Sequence, residues 1–273
     1  MAWLNACFYS DVLRIDCNVS VVYPQNTTRT PPTLRDVIKP PYQVLYLLHG
    51  LMRNETSWQR LSSIEQYVMD MGLAVIMPTT QRGWFVNQAH GYRWEDFIVE
   101  ELPEVMSKMF HISRAREDTF IAGLSMGGYG AFKAALSYPE RYSCAASLSG
   151  CIDLGFLVGT DVITADEMYM SFGTPDPRGS EFDIYEIARR QLKEKGKDAL
   201  PALYATCGTE DPLHKTNMKF RDEMKDVLNL TYHEEQGDHV WSFWDRNIQK
   251  VLDWLPIKQR DKGYVQKFIP SKN

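Results

Sequence analysis

The stretch Asp118-Thr-Phe-Ile-Ala-Gly-Leu-Ser-Met-Gly-Gly128 places the pattern Gly-x-Ser-x-Gly directly after a short, apolar, β-prone run. This pattern is typical of a nucleophile elbow, a strained strand-to-helix turn whose flanking glycines avoid collisions with the neighbouring strand and helix. It occurs by chance in about one chain in ten of this length, so its context decides. Residues 131–136, which follow it, are strongly helix-forming. Strand, turn and helix are all present, which makes Ser125 the candidate nucleophile.

The composition fits one globular α/β domain that spans residues 1–273. The chain has 273 residues, 44% of them hydrophobic, with a net charge of −5 and no repeat or low-complexity tract. A basic patch for nucleic acid is missing, and no apolar run approaches the roughly 18 residues of a membrane span. The first residues lack the features of a signal peptide, so we expect a cytoplasmic protein without membrane or nucleic-acid partners.

The five cysteines are scattered and contain no C-x-x-C pair. They indicate buried, reduced thiols rather than a zinc site or a disulfide framework.

Strands and helices alternate along most of the chain. Residues 15–23 alternate like a strand with one buried face, so we expect antiparallel strands at the start, and residues 27–41 indicate a surface loop. Strands are then predicted at 44–48, 73–77, 144–148, 202–206 and 230–234. Apolar stripes predict helices over 58–71 and 94–109, the second kinked or divided near Pro103, and a last helix ending near Trp254. This order predicts a mainly parallel sheet with helices on both faces and a cap-like insertion around 152–200.

A serine hydroxyl needs a histidine to accept its proton, and that histidine needs an acid to fix its tautomer. In this architecture both follow the serine, first the acid and then the histidine, each at the carboxyl end of a strand. Asp211 lies in the turn after the strand 202–206 and is the candidate acid. Glu210, its neighbour, and Asp153, after an earlier strand, are the alternatives.

His239 is the candidate base, because it follows a Gly-Asp turn after the strand 230–234 and precedes a helix. His233 lies inside that strand, and His214 lies only three residues after Asp211, so both are less well placed.

An oxyanion hole needs two backbone N–H groups directed at the developing negative oxygen. Met126, the residue after the nucleophile, supplies one of them. The second is expected from Leu51, in the loop His49-Gly-Leu51 after the strand 44–48. The alternative interpretation of His49-Gly50 is a plain strand-ending turn, in which His49 is a structural hydrogen-bonding residue.

The motifs together resemble the esterase D-like α/β-hydrolases, most closely the bacterial tributyrin esterases, with S-formylglutathione hydrolases and feruloyl esterases as relatives. The resemblance covers residues 44–254 and rests on Leu47-Leu-His-Gly50 with Trp58, Gly83-Trp-Phe85, Ala89-His-Gly91, Phe97-Ile-Val-Glu-Glu-Leu-Pro103, Gly123-Leu-Ser-Met-Gly-Gly128 and Gly237-Asp-His-Val-Trp241.

The resemblance implies an α/β-hydrolase fold and a serine carboxylesterase with the catalytic residues Ser125, Asp211 and His239. It implies short acyl chains, a small-molecule ester substrate, and no metal or organic cofactor. Feruloyl and acetyl-xylan esters, S-formylglutathione, and acyl transfer to another alcohol are open alternatives, and a non-catalytic binding module is disfavoured. The loop 51–55 does not look like that of the formylglutathione hydrolases. The oligomeric state is open, a homo-oligomer included.

Three aromatic residues are candidates for the substrate pocket, because they lie on loops at the predicted active edge of the sheet: Trp84, Phe85 and Trp241.

Overall fold

An eight-stranded sheet runs through the chain in the computed structural model, which describes residues 1–27, 30 and 32–261. Its strands are β1 Ala2–Ser10, β2 Ile15–Tyr23, β3 Gln43–Leu48, β4 Leu73–Pro78, β5 Thr119–Leu124, β6 Cys144–Leu148, β7 Ala202–Gly208 and β8 Leu230–Glu235. The spatial order is β1-β2-β4-β3-β5-β6-β7-β8. β2 pairs antiparallel with β1 and β4, and the remaining pairs are parallel. The predicted α/β-hydrolase fold is therefore confirmed.

Two parts of the sequence predictions fall on residues outside this description. Residues 28, 29 and 31 belong to the predicted loop 27–41, and residues 262–273 to the predicted single domain.

Ten α-helices occur in the described ranges. They are α1 Pro32–Val37, α2 Ser57–Leu61, α3 Ile64–Tyr67, α4 Trp94–Asp96, α5 Leu102–Met109, α6 Met126–Ser137, α7 Ala165–Phe172, α8 Ile184–Lys195, α9 His214–Met224 and α10 Trp241–Trp254. A π-helical turn, Phe97–Glu101, joins α4 to α5, whose second residue is Pro103, which has no N–H for a regular helical bond. None of the described helices is long and apolar enough to cross a membrane.

Every residue of the central strands β3, β4, β5 and β6 is buried, which explains their continuous apolar sequences. Successive side chains point to opposite faces, so Leu45 and Leu47 pack against α2, α3 and α10. Tyr46 and Leu48 pack with α5, α6, α8 and α9 on the other face. Four of the five cysteines are buried as predicted, and Cys7 on β1 is exposed.

The strand order places the active edge. From β3 the chain continues to β4 on one side, and β5 then lies on the other side of β3. A crevice forms at the carboxyl ends of parallel strands where the order reverses in this way. The loop after β3 and the turn after β5 therefore meet at this point.

The segment 152–200 has two structural parts. The first carries α7 and lies across the loop after β4, where Ala89 N–H and His90 N–H donate to the Ser171 and Met170 carbonyls at 3.1 and 2.9 Å. Arg82 of that loop forms an ion pair with Glu167 of α7. The second part is α8, whose buried face packs beside α6 in the same hydrophobic core, so it serves as the crossover helix between β6 and β7.

A buried ion pair joins α4 to α6. Lys133 Nζ lies 2.6 and 2.7 Å from the two carboxylate oxygens of Glu95, and the side chains are only 5% and 9% exposed. A charge that is buried away from water strongly destabilises the folded protein unless it keeps a partner of opposite charge.

We therefore predict that Lys133→Met lowers the free energy of unfolding by about 3–5 kcal/mol, because it leaves an unpaired carboxylate in the core. The double variant Lys133→Met/Glu95→Leu should recover most of this loss. Urea denaturation of the three proteins measures both values. If the double variant were no more stable than Lys133→Met, the loss of stability could not be assigned to the unpaired Glu95 carboxylate.

Candidate active site

Ser125 lies between the end of β5 and the start of α6 with φ 53° and ψ −117°, a backbone conformation that costs energy for a residue with a side chain. Its backbone is tied to the next strand, because Ser125 N–H donates to Leu148 O at 2.9 Å and Cys151 N–H donates to Ser125 O at 3.1 Å. A Cβ on Gly123 would lie 2.3 Å from the Gly127 carbonyl oxygen, so only glycine fits there. The sequence pattern thus forms an elbow that presents the Ser125 side chain at the active edge.

The structure brings Ser125, His239 and Asp211 together. His239 Nε2 lies 3.0 Å from Ser125 Oγ, and His239 Nδ1 lies 2.9 Å from Asp211 Oδ2. A carboxylate only accepts, so Nδ1 carries the proton and Nε2 is free to accept from the serine hydroxyl. The second Asp211 oxygen accepts from Leu213 N–H at 2.8 Å, and the carboxylate is fully buried. This geometry supports proton transfer from Ser125 to His239.

The alternative acids and histidines lie elsewhere. Asp153 accepts from Gly155 N–H at 3.0 Å, and Glu210 accepts from Gln236 at 3.0 Å on the surface. His214 contacts Glu234 at 3.0 Å, and His233 contacts Lys250 at 2.8 Å.

Close backbone packing joins the loops that carry Asp211 and His239. A Cβ on Gly208 would lie 2.2 Å from the Gly237 carbonyl oxygen, and that oxygen accepts from Glu210 N–H at 2.9 Å. The two loops are thereby fixed relative to each other.

Trp244 contacts the histidine from α10, a role that the sequence analysis missed. Its ring stands perpendicular to His239 at 4.9 Å between centroids, and its indole N–H donates to Ser149 Oγ at 3.1 Å. The available signal was that Trp244 lies in the first turn of the helix that directly follows His239.

The two predicted oxyanion donors lie at the same corner of the sheet. Met126 is the first residue of α6, and the first N–H groups of a helix have no acceptor within it. A Cβ on Gly127 would lie 2.5 Å from the His49 carbonyl oxygen, so the start of α6 packs directly on the loop that contains Leu51.

The predicted pocket aromatics differ in exposure. Trp84 and Phe85 are only 1% and 2% exposed, both with positive φ, and pack in the core beneath the edge. Phe85 contacts His49, with 5.3 Å between ring centroids. Trp241 is partly exposed and stands edge-on to both Trp58 and Trp244. Of the three, Trp241 is the one placed at the surface of the site.

His49, at the start of the same loop, is fully enclosed. Burial lowers the pKa of His49 from 6.5 to about 4, so its ring is neutral near pH 7. Its Nδ1 lies 2.7 Å from Gly50 O, and its Nε2 accepts from Thr80 N–H at 3.1 Å.

Comparison with known proteins identifies the family. A family model described as "Putative esterase" matches residues 13–255. The chain belongs to this esterase family. An acetyl esterase from Caldicellulosiruptor saccharolyticus is 28% identical over 264 residues, which cover 93% of this chain and 98% of the relative.

Two solved structures from Staphylococcus aureus are each 29% identical, and the match covers 93% of this chain and 98% of theirs. They are the substrate-bound fluorophosphonate-binding serine hydrolase F, with a TM-score of 0.84, and an S-formylglutathione hydrolase, with a TM-score of 0.81. The family model and these relatives together show that the chain is a carboxylic ester hydrolase. No group of three His, Cys, Asp or Glu that could hold a metal ion occurs among the described residues.

The buried His49 predicts a specific pH dependence of stability. Its pKa is lower in the folded than in the unfolded chain, so the unfolded state takes up a proton first as the pH falls. The contribution of the neutral His49 to the free energy of unfolding is complete above pH 6.5 and is lost as the pH falls towards 4. In total it amounts to about 3 kcal/mol. Urea denaturation at pH 7.5 and pH 4 should show that wild type loses about 3 kcal/mol more than His49→Gln. If the free energies of unfolding of wild type and His49→Gln fell by the same amount between pH 7.5 and pH 4, the stabilising role of His49 would be contradicted.

Proposed function

We propose that this esterase hydrolyses short-chain acyl esters through an acyl-serine intermediate on Ser125. The observation that carries the proposal is the continuous hydrogen-bonded chain from Ser125 Oγ through the His239 ring to the buried Asp211 carboxylate. This arrangement supports the assignment of Ser125 as nucleophile, His239 as base and then acid, and Asp211 as the orienting group. The N–H groups of Leu51 and Met126 are the proposed oxyanion donors.

The proposed reaction has two proton-balanced steps. Ser125 Oγ attacks the ester carbonyl, its proton passes to His239 Nε2, and the same proton leaves with the alcohol as the carbon–oxygen bond breaks. Water then attacks the acyl-serine, His239 takes one proton from it, and that proton returns to Ser125 Oγ as the acid leaves. The negative oxygen formed in each step is stabilised by the two backbone N–H groups and by the positive end of α6.

The short-acyl preference is supported by the acetyl esterase relative and by the sequence resemblance to tributyrin esterases. Thioester hydrolysis is a second candidate, favoured by the likeness to the S-formylglutathione hydrolase of Staphylococcus aureus. Trp241 is the proposed wall of the substrate site, because it is partly exposed and its ring contacts Trp244 beside His239. We also propose that the chain is a single domain, since one sheet connects its first and last strands.

The catalytic assignment predicts large losses at three positions. Ser125→Ala and His239→Gln should lower kcat/KM for p-nitrophenyl butyrate by about 10⁴-fold or more. Asp211→Asn should cost roughly 10³- to 10⁴-fold. Leu213 N–H will select the amide oxygen of Asn, so the amide N–H₂ faces the histidine and favours the tautomer that cannot accept from Ser125.

The competing residues provide matched controls. Asp153→Asn, Glu210→Gln, His214→Gln and His233→Gln lie outside the hydrogen-bonded chain and should stay within about twofold of wild type. Turnover that survives Ser125→Ala would refute the proposal.

The acyl preference predicts that kcat/KM is highest for the acetyl and butyryl esters and falls for octanoyl esters. Tributyrin, methyl ferulate and an S-acyl glutathione complete the substrate panel, which separates the short-chain, feruloyl and thioester functions. The highest kcat/KM on methyl ferulate would contradict the short-acyl assignment.

A further inference from the structure

The backbone on both sides of the His49 ring fixes its tautomer. Gly50 O, 2.7 Å from Nδ1, can only accept, and Thr80 N–H, 3.1 Å from Nε2, can only donate. The proton is therefore on Nδ1, and the lone pair is on Nε2. The ring connects the loop after β3 to the loop after β4.

The surroundings keep this ring neutral and in one orientation. His49 is 1% exposed, and its burial lowers its pKa to about 4, so it carries no charge near neutral pH. The Phe85 ring packs against it at 5.3 Å between centroids. A rotated ring would lose both of its backbone hydrogen bonds in a place that water does not reach, which is costly.

The contact with Gly50 O determines where Leu51 N–H points. Both groups belong to one peptide unit, which is trans, so the carbonyl and the N–H point in opposite directions. Gly50 O also accepts from Arg53 N–H at 3.2 Å. Two donors thus fix the direction of the carbonyl on the His49 side, and Leu51 N–H is turned to the other side.

This peptide unit lies beside the elbow serine. A Cβ built on Gly50 would lie 3.5 Å from Ser125 Cβ and 2.6 Å from Leu124 Cδ1. The loop therefore packs directly against Ser125 and against the side chain that precedes it.

We propose that His49 is a positioning residue of the esterase, which holds the Gly50–Leu51 peptide so that Leu51 N–H is directed at the oxyanion before substrate arrives. The inference rests on the proposed function. It adds to the two oxyanion donors a residue that positions one of them. Such a donor is useful in the transition state only when its direction is set in advance. Loss of one complete donor typically lowers kcat by 10²- to 10³-fold, and a donor that is present but misdirected should cost roughly 10- to 100-fold.

Two amide variants test the hydrogen bond to Gly50 O. In His49→Asn the side-chain N–H₂ overlies Nδ1 and retains that bond, whereas in His49→Gln the amide overlies Nε2 and loses it. We expect kcat for p-nitrophenyl butyrate to fall roughly 10- to 100-fold in His49→Gln, with KM within about threefold, because the contact acts in the transition state. His49→Asn should recover most of kcat.

A transition-state analogue gives the second readout. A trifluoromethyl ketone with a butyl chain forms an oxyanion on the nucleophile, so its inhibition constant should rise in His49→Gln by about the same factor as kcat/KM falls. A general loss of packing would affect KM and both amide variants alike, and circular dichroism identifies any variant that is not folded.

Equal kcat in His49→Asn and His49→Gln, or a loss confined to KM, would overturn the role of His49 while Ser125→Ala still tests the esterase mechanism separately. Activity that persists in Ser125→Ala would overturn the proposed function, and the role of His49 with it.

Discussion

The backbone contact between the elbow and its neighbouring strand ends is the constraint on which the site depends. Gly123 and Gly127 approach so closely that a Cβ on either would collide with a carbonyl group. This approach allows Ser125 to leave β5 in a strained conformation and begin α6 immediately. It also brings the end of β3 against the first turn of α6, so Ser125 and the proposed oxyanion donors lie at one corner of the sheet.

Close backbone packing also joins the two loops that carry Asp211 and His239. Gly208 and Gly237 approach at a distance that no side chain would tolerate, and this fixes the loops after β7 and β8 relative to each other. Asp211 is then fully buried with both of its oxygens occupied, whereas the His239 side chain is 27% exposed at the open side. Rigid loops on a buried parallel sheet thus bring together three residues that are far apart in sequence, which is the preorganisation that a proton-transfer chain requires.

The strands and the site were predictable for different reasons. The predicted strand at 144–148 agrees with β6 at both ends, and the other central strands agree to within two residues, because continuous apolar runs identify buried parallel strands. The candidates Ser125, Asp211 and His239 followed from the order of strand ends. The sequence predicts antiparallel strands at the start but not the bounds of β1, because much of that strand is exposed, and it does not predict α8, because the segment 152–200 reads as a cap-like insertion.

The deep burial of Trp84 and Phe85 and the partners of His49 could not be read from the sequence, because they depend on contacts between distant loops.

The central claim is that Ser125 itself carries the acyl group between the two steps, and trapping this intermediate tests it most directly. Wild-type protein mixed with p-nitrophenyl acetate and quenched in acid within milliseconds should yield, by peptide mass spectrometry, one acetylated residue, Ser125. Acetylation of another residue, or product release without any acetylated Ser125, would contradict the account.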